Sequence, residues 1–177
     1  PALLIIFCLI VRKNTKFDPG EQPIRTLAGI VTYAMCLNVF FFLLEVFTGF
    51  YSNIPGHMHT IQYLFAGLHG HNALVPWMWT ATFFAAASLI MLLVPATRRK
   101  DDTLVVACIF VFIATWIDKG VGLVLGGFVP NPLHHITEYQ ATVPEVLITL
   151  AVWATGFFIL SALYKVAVTV KEEQQQI

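Results

Sequence analysis

The sequence predicts an all-α integral membrane protein, a polytopic helix bundle with about five transmembrane helices. Three observations carry that prediction. The 177 residues are 58% hydrophobic and only 11% charged, against about 25% charged in an ordinary soluble domain. The mean hydropathy is +0.76. Long apolar runs recur along the chain, separated by short polar connections. A chain this apolar has no water-soluble way to hide its side chains.

The runs define the elements in order. Ala2 to Val11 is apolar but too short to cross a bilayer, and it lacks the basic start and small-residue cleavage site of a signal peptide. It reads as the tail of a first helix, residues 1–11, and the chain as the C-terminal part of something longer. Leu27 to Phe50 follows, interrupted by Asn38 and Glu45. Leu74 to Val94 carries no charge. Leu104 to Phe128 carries Asp118 and Lys119. Val146 to Val170 is the last. Each of these four exceeds the roughly 20 residues that cross about 30 Å of hydrocarbon. "FDPGEQP" (Phe17 to Pro23) reads as a turn, "NIPGH" (Asn53 to His57) opens a long connection, and "PNP" (Pro130 to Pro132) ends the fourth run. The stretch His59 to His71 has helical spacing at Ile61, Leu64, Phe65 and Leu68, as a short interfacial helix would. "KEEQQQI", residues 171–177, reads as a solvated tail. No repeat or second domain is visible, so residues 1–177 read as one membrane domain.

Orientation follows from the ten Lys and Arg. Arg12, Lys13, Lys16 and Arg25 lie in the first connection. Arg98, Arg99 and Lys100 lie in the third, and Lys165 and Lys171 flank the C-terminus. The second (Tyr51 to Ala73) and fourth (Val129 to Glu145) connections hold none. By the positive-inside rule the basic loops and the C-terminus face the cytoplasm. All six histidines, His57, His59, His69, His71, His134 and His135, then lie toward the opposite side, the periplasm of a bacterium.

Composition also excludes functions. The formal net charge is zero and no basic run is interleaved with aromatics, which argues against nucleic-acid binding. Cys8, Cys36 and Cys108 sit singly in apolar runs, with no CxxC or CxxCH to hold an iron–sulfur cluster or a c-type haem. The histidines lie outside the spans, where axial ligands of a transmembrane haem b are not expected. "HMH", "HGH" and "HH" match no firm metal-ligand spacing.

Ionisable groups within a span are costly and mark function or a register-fixing ion pair. Glu45, Asp118, Lys119 and Glu145 all fall in the outer half of the bilayer and form the expected proton-relay set. Asn38 and Glu45 share a face at i, i+7; Thr115, Asp118, Lys119 and Gly122 share another at i, i+3, i+4, i+7. Gly122 and Gly126 form a GxxxG that permits close approach. Because adjacent side chains diverge by about 100°, Lys119 is expected to pair with Glu45 rather than with Asp118. Asn38, His57, His59, His69, His71 and Trp77 are candidates for quinone binding or partner docking. Trp77, Trp79, Tyr51, Tyr63 and Tyr139 also fit an aromatic belt with no further role.

The strings "LLEVFTGFYSNIPGHMH", "YLFAGLHGHNALVPWMW", "LLVPATRR", "WIDKGVGLVLGG" and "PNPLHHITEYQATVPEVLI" resemble the NrfD/PsrC family of membrane subunits, most of all its branch in DsrMKJOP-type complexes of sulfur-metabolising prokaryotes. The resemblance spans essentially the whole chain. It implies two four-helix bundles, of which this chain would be the C-terminal half. It implies a subunit without haem or iron–sulfur cluster of its own, working with menaquinone bound by the complex. The implied partners are a periplasmic iron–sulfur subunit, a periplasmic multihaem cytochrome c, a haem b membrane subunit and a cytoplasmic iron–sulfur subunit. Glu45, Asp118 and Lys119 fall where that family's second bundle is suspected of moving protons. The alternatives are a proton-conducting or secondary-transport protein, or a purely structural anchor.

Overall fold

The computed structural model describes residues 1–14, 19–68, 70–126 and 141–175. The chain is an all-α protein, with four helices long and apolar enough to cross a membrane. It forms two compact units, Pro1–Glu138 and Tyr139–Ile177.

The first unit runs α1 (Ala2–Asn14), α2 (Glu21–Tyr51), α3 (Pro55–Phe65), α4 (Val75–Leu93), α5 (Pro95–Arg98) and α6 (Asp101–Trp116), which continues as a π-helix over Ile117–Leu125. The sequence dictates most of these boundaries. Pro55, Pro76 and Pro95 stand in the first turns of α3, α4 and α5, where a missing N–H costs nothing. Val94 is extended between α4 and α5 because the residue before a proline is pushed out of the helical region. α2 starts earlier than the expected Leu27. Glu21 and Arg25 form an i, i+4 pair at 2.9 Å, and Pro23 is tolerated in the opening turn. α3 starts before His59 and ends at Phe65, so Ile61, Leu64 and Phe65 are helical and Leu68 is not. Gly67 follows at φ 79, and a Cβ there would collide with the Asn72 side chain.

α1, α2, α4 and α6 pack around one core. Ile5 and Leu9 of α1, Ile24, Ala28, Val31 and Met35 of α2, Leu92 of α4, and Leu104, Ala107, Cys108 and Val111 of α6 are its buried residues. Nearly all come from the half of the bundle next to the first and third connections. Small residues there let backbones approach, which is how membrane helices gain packing energy when lipid offers no hydrophobic gain. At the same end, ion pairs tie three helices together. Asp101, in the first turn of α6, lies 3.3 Å from Arg12 and 3.4 Å from Arg25. Arg25 also donates to the Arg98 carbonyl at 3.0 Å. The basic rim read from the sequence therefore carries a shared acid at its centre.

In the spans, hydroxyls bond back to their own helix. Thr32 donates to Ala28 O at 2.7 Å, Thr115 to Val111 O at 2.7 Å, and Thr155 to Ala151 O at 2.9 Å. This satisfies donors that lipid cannot.

The second unit is α7 (Val143–Gln175), 33 residues long. It continues into the segment expected to be a solvated tail. Its apolar side chains, among them Leu147, Phe158 and Val166, are exposed.

Replacing the fully buried Ala28 by leucine overfills the α1–α2–α6 core. The expected cost is about 1–3 kcal/mol, read as a lowered unfolding midpoint in a denaturing-detergent titration of the micelle-solubilised protein. An unchanged midpoint would contradict this packing.

Candidate functional site

Away from the dense half, the first unit opens into cavities, and the charged residues of the spans line them. α2 presents Asn38, Phe42 and Glu45. α4 presents Met78 and Thr82, and the α6 π-extension presents Asp118, Lys119 and Gly122. A cavity of about 190 Å³ lies among Asn38, Phe42, Met78, Thr82, Leu89 and Asp118 and is almost wholly apolar. A smaller one, of about 70 Å³, lies among Glu45, Thr60, Leu64, Asp118, Lys119 and Gly122. Asp118, Phe42 and Met78 line both. The structure thus brings Glu45, Asp118 and Lys119 to one place, with Asn38 one cavity away.

The pairing inside that place differs from the expectation. The Lys119 ammonium lies 3.0 Å from Asp118 Oδ2, not on Glu45. From Ile117 the chain takes i→i+5 hydrogen bonds, which narrow the angular step between neighbours only slightly. The flexible four-carbon lysine stem folds back onto its neighbour across that step. Oδ2 itself is buried and lacks an aligned hydrogen bond, so the ammonium holds it as an ion contact. The same change of winding divides the expected face of Thr115, Asp118, Lys119 and Gly122. Thr115 lines a separate space with Met35 and Asn38, while the other three line the smaller cavity. Glu45, expected to be a buried charge, is exposed on the surface of α2, and Lys119 keeps half of its side chain exposed.

Two glycines make the close approaches the GxxxG implies, though toward side chains. A methyl group on Gly122 would come within 2.9 Å of the Met78 sulfur, and one on Gly126 within 2.8 Å of Leu64. α3 thereby caps the π-helical segment. An aromatic groove of about 300 Å³ adjoins, lined by Phe42, Phe50, Phe65 and Trp79. Trp79 Nε1 donates to the Phe65 carbonyl at 3.0 Å, which fixes the ring at the α3–α4 junction.

The other candidates fall elsewhere. His57 is exposed and His59 half-buried on α3, and neither lines the cavities that Asp118 lines. His71 exchanges backbone hydrogen bonds with Leu68 at 3.0 and 3.2 Å in a tight turn where Gly70 has φ 87. Trp77 is exposed in the first turn of α4. His69, His134, His135 and Tyr139 lie outside the described residues. Among the described residues no group of three or more His, Cys, Asp or Glu comes together to hold a metal.

In the second unit, Glu145 has a local task. Its Oε2 accepts from both the backbone N–H and the hydroxyl of Thr142, each at 2.7 Å. Thr142 and Glu145 stand at the N-cap and N3 positions of α7, half of a capping box. The helix-start motif T-x-x-E gives this residue a role in starting α7.

The chain is therefore a multi-pass α-helical membrane protein with a charged pocket inside one half of its bundle. No protein-family model, curated protein or solved structure matches it.

Glu145→Ala should release the first turn of α7 at a cost of about 1 kcal/mol. Faster amide exchange at Val143 to Val146 is the expected reading, with the pocket of Asp118 unaffected.

Proposed function

We propose that this chain is a quinone-interacting membrane subunit of a respiratory electron-transfer complex. In this reading it exchanges electrons between menaquinone and a periplasmic iron–sulfur partner, with proton transfer through its charged pocket. The single observation that carries the reading is the apolar cavity with Asn38, Thr82 and Asp118 on its wall, one carboxylate away from the Lys119 and Glu45 pocket. Ligand sites are mostly apolar, with a few placed polar groups. This one, about 190 Å³, is smaller than the roughly 300–1,000 Å³ that encloses a drug-sized ligand. Its size and lining suit a ring head group, with an apolar tail left outside.

When bound, a quinol supplies two electrons and two protons as it becomes a quinone. The chain's own residues handle position and protons. The Asn38 amide can donate to or accept from a ring oxygen. Phe42, Met78 and Leu89 exclude water. Asp118 stands at the junction of the two cavities, where a carboxylate can take a proton and pass it outward. Lys119 holds the resulting anion. No electron carrier belongs to this chain in the reading; electrons go to the iron–sulfur partner.

The resemblance to the NrfD/PsrC family extends the proposal. It makes the chain most like the DsrP subunit of DsrMKJOP-type complexes in sulfur or sulfate metabolism. The partners would then be a DsrO-like periplasmic iron–sulfur subunit, a DsrJ-like multihaem cytochrome c, a DsrM-like haem b membrane subunit and a DsrK-like cytoplasmic iron–sulfur subunit. The distribution of Lys and Arg supports a cytoplasmic-membrane location, with the C-terminus in the cytoplasm and the α3 end facing the periplasm. The end that carries α3 would meet the iron–sulfur partner.

Asp118→Asn should lower quinol-linked electron transfer by the assembled complex by about 10²-fold or more, the scale of losing a general base. Asn38→Leu should raise the quinol KM while sparing assembly. Full turnover in Asp118→Asn would refute the assignment.

A further inference from the structure

We propose that Lys119 serves two carboxylates in turn, Asp118 and Glu45, and that the acid it leaves carries a proton. The proposal rests on reading this pocket as the proton-handling wall of the function above, and it names how the wall works.

The smaller cavity places three charged groups on its lining, Glu45 from α2 and Asp118 and Lys119 from the π-helical segment. Two acids and one base cannot all be charged and paired. Within a membrane span an ionised carboxylate without a partner is costly, so the set is neutral only when one proton resides on one of the two acids. The structure shows the lysine at the first of its two acids. Lys119 Nζ is 3.0 Å from Asp118, and among the described residues Glu45 has no ion pair. In the first arrangement of the proposal the proton is on Glu45.

The second state needs only the lysine to move. Its side chain is 50% exposed, against 18% for Asp118, and its four-carbon stem is flexible. The intervening space of about 70 Å³ has room for about two waters at ~30 Å³ each. As the ammonium reaches Glu45, the Glu45 O–H bond breaks and its proton joins Asp118, directly or through that water. Lys119 keeps its three N–H bonds throughout, and no electron moves. Among the described residues the other elements at the cavity add no competing titratable group: α3 contributes the Thr60 hydroxyl and α4 the Met78 thioether. Because Asp118 also lines the larger cavity, the exchange delivers or removes a proton there without any change in the charge of the pocket.

Infrared spectroscopy of the full chain in lipid nanodiscs at neutral pH, without quinone or electron donor, tests the exchange. Wild type should show one protonated carboxyl stretch, absent from Glu45→Gln. Asp118→Asn should also abolish it, because Lys119 then moves to Glu45 and ionises it. Lys119→Met should show about twice the wild-type intensity. Asp118→Ser serves as a second probe, with helicity checked by circular dichroism, should the asparagine variant not fold. A stretch that survives both Asp118 substitutions, or none in wild type, overturns the exchange. Neither result touches the quinone reading, which is judged separately by turnover of the complex.

Discussion

The structure depends on how an aspartate and a lysine, adjacent in sequence, are kept inside an apolar span. Hydrocarbon cannot satisfy them there, and an α-helix would aim them about 100° apart. Within the wider winding after Trp116 the flexible Lys119 stem folds back onto Asp118. That winding is held from outside by α4 and α3, whose Met78 and Leu64 lie where side chains on Gly122 and Gly126 would be. The glycines thus serve the ion pair indirectly, by giving neighbouring helices a place to press.

The first unit divides its labour along the bundle axis. The half near Arg12, Arg25 and Asp101 is tightly packed and cross-linked by ion pairs. The half near α3 contains the cavities and the charged pocket. Sites work best when carried on rigid elements, and here the rigid end anchors helices whose other ends leave space. Each of these ion pairs is part-exposed and worth little alone. Their effect lies in joining α1, α2 and α6 at one point.

Much of this was legible in the sequence, for physical reasons. The apolar run from Leu74 to Val94 located α4 almost to the residue, whereas the single turn of α5, opened by Pro95, was not foreseen. The gathering of Glu45, Asp118 and Lys119 was also legible, since charges in apolar spans have few places to go. Which acid Lys119 chooses was not, because a flexible four-carbon stem can fold back onto its neighbour across the helical step. Asp101 carries no signal of its own in the sequence. Its value arises from Arg12 and Arg25, partners far away in sequence. Glu145 also has a local sequence signal, Thr142 three residues earlier, which marks a helix start.

The hydroxyls that turn back onto their own carbonyls have a broader consequence. A threonine such as Thr155 on α7 spends its donor within its own turn, and what remains outward is a methyl group. To the surrounding hydrocarbon it is a valine whose polarity has been folded inward. The polar content of these spans, counted from composition, therefore overstates what lipid meets, and a substitution drifting between threonine and valine leaves the greasy exterior the same.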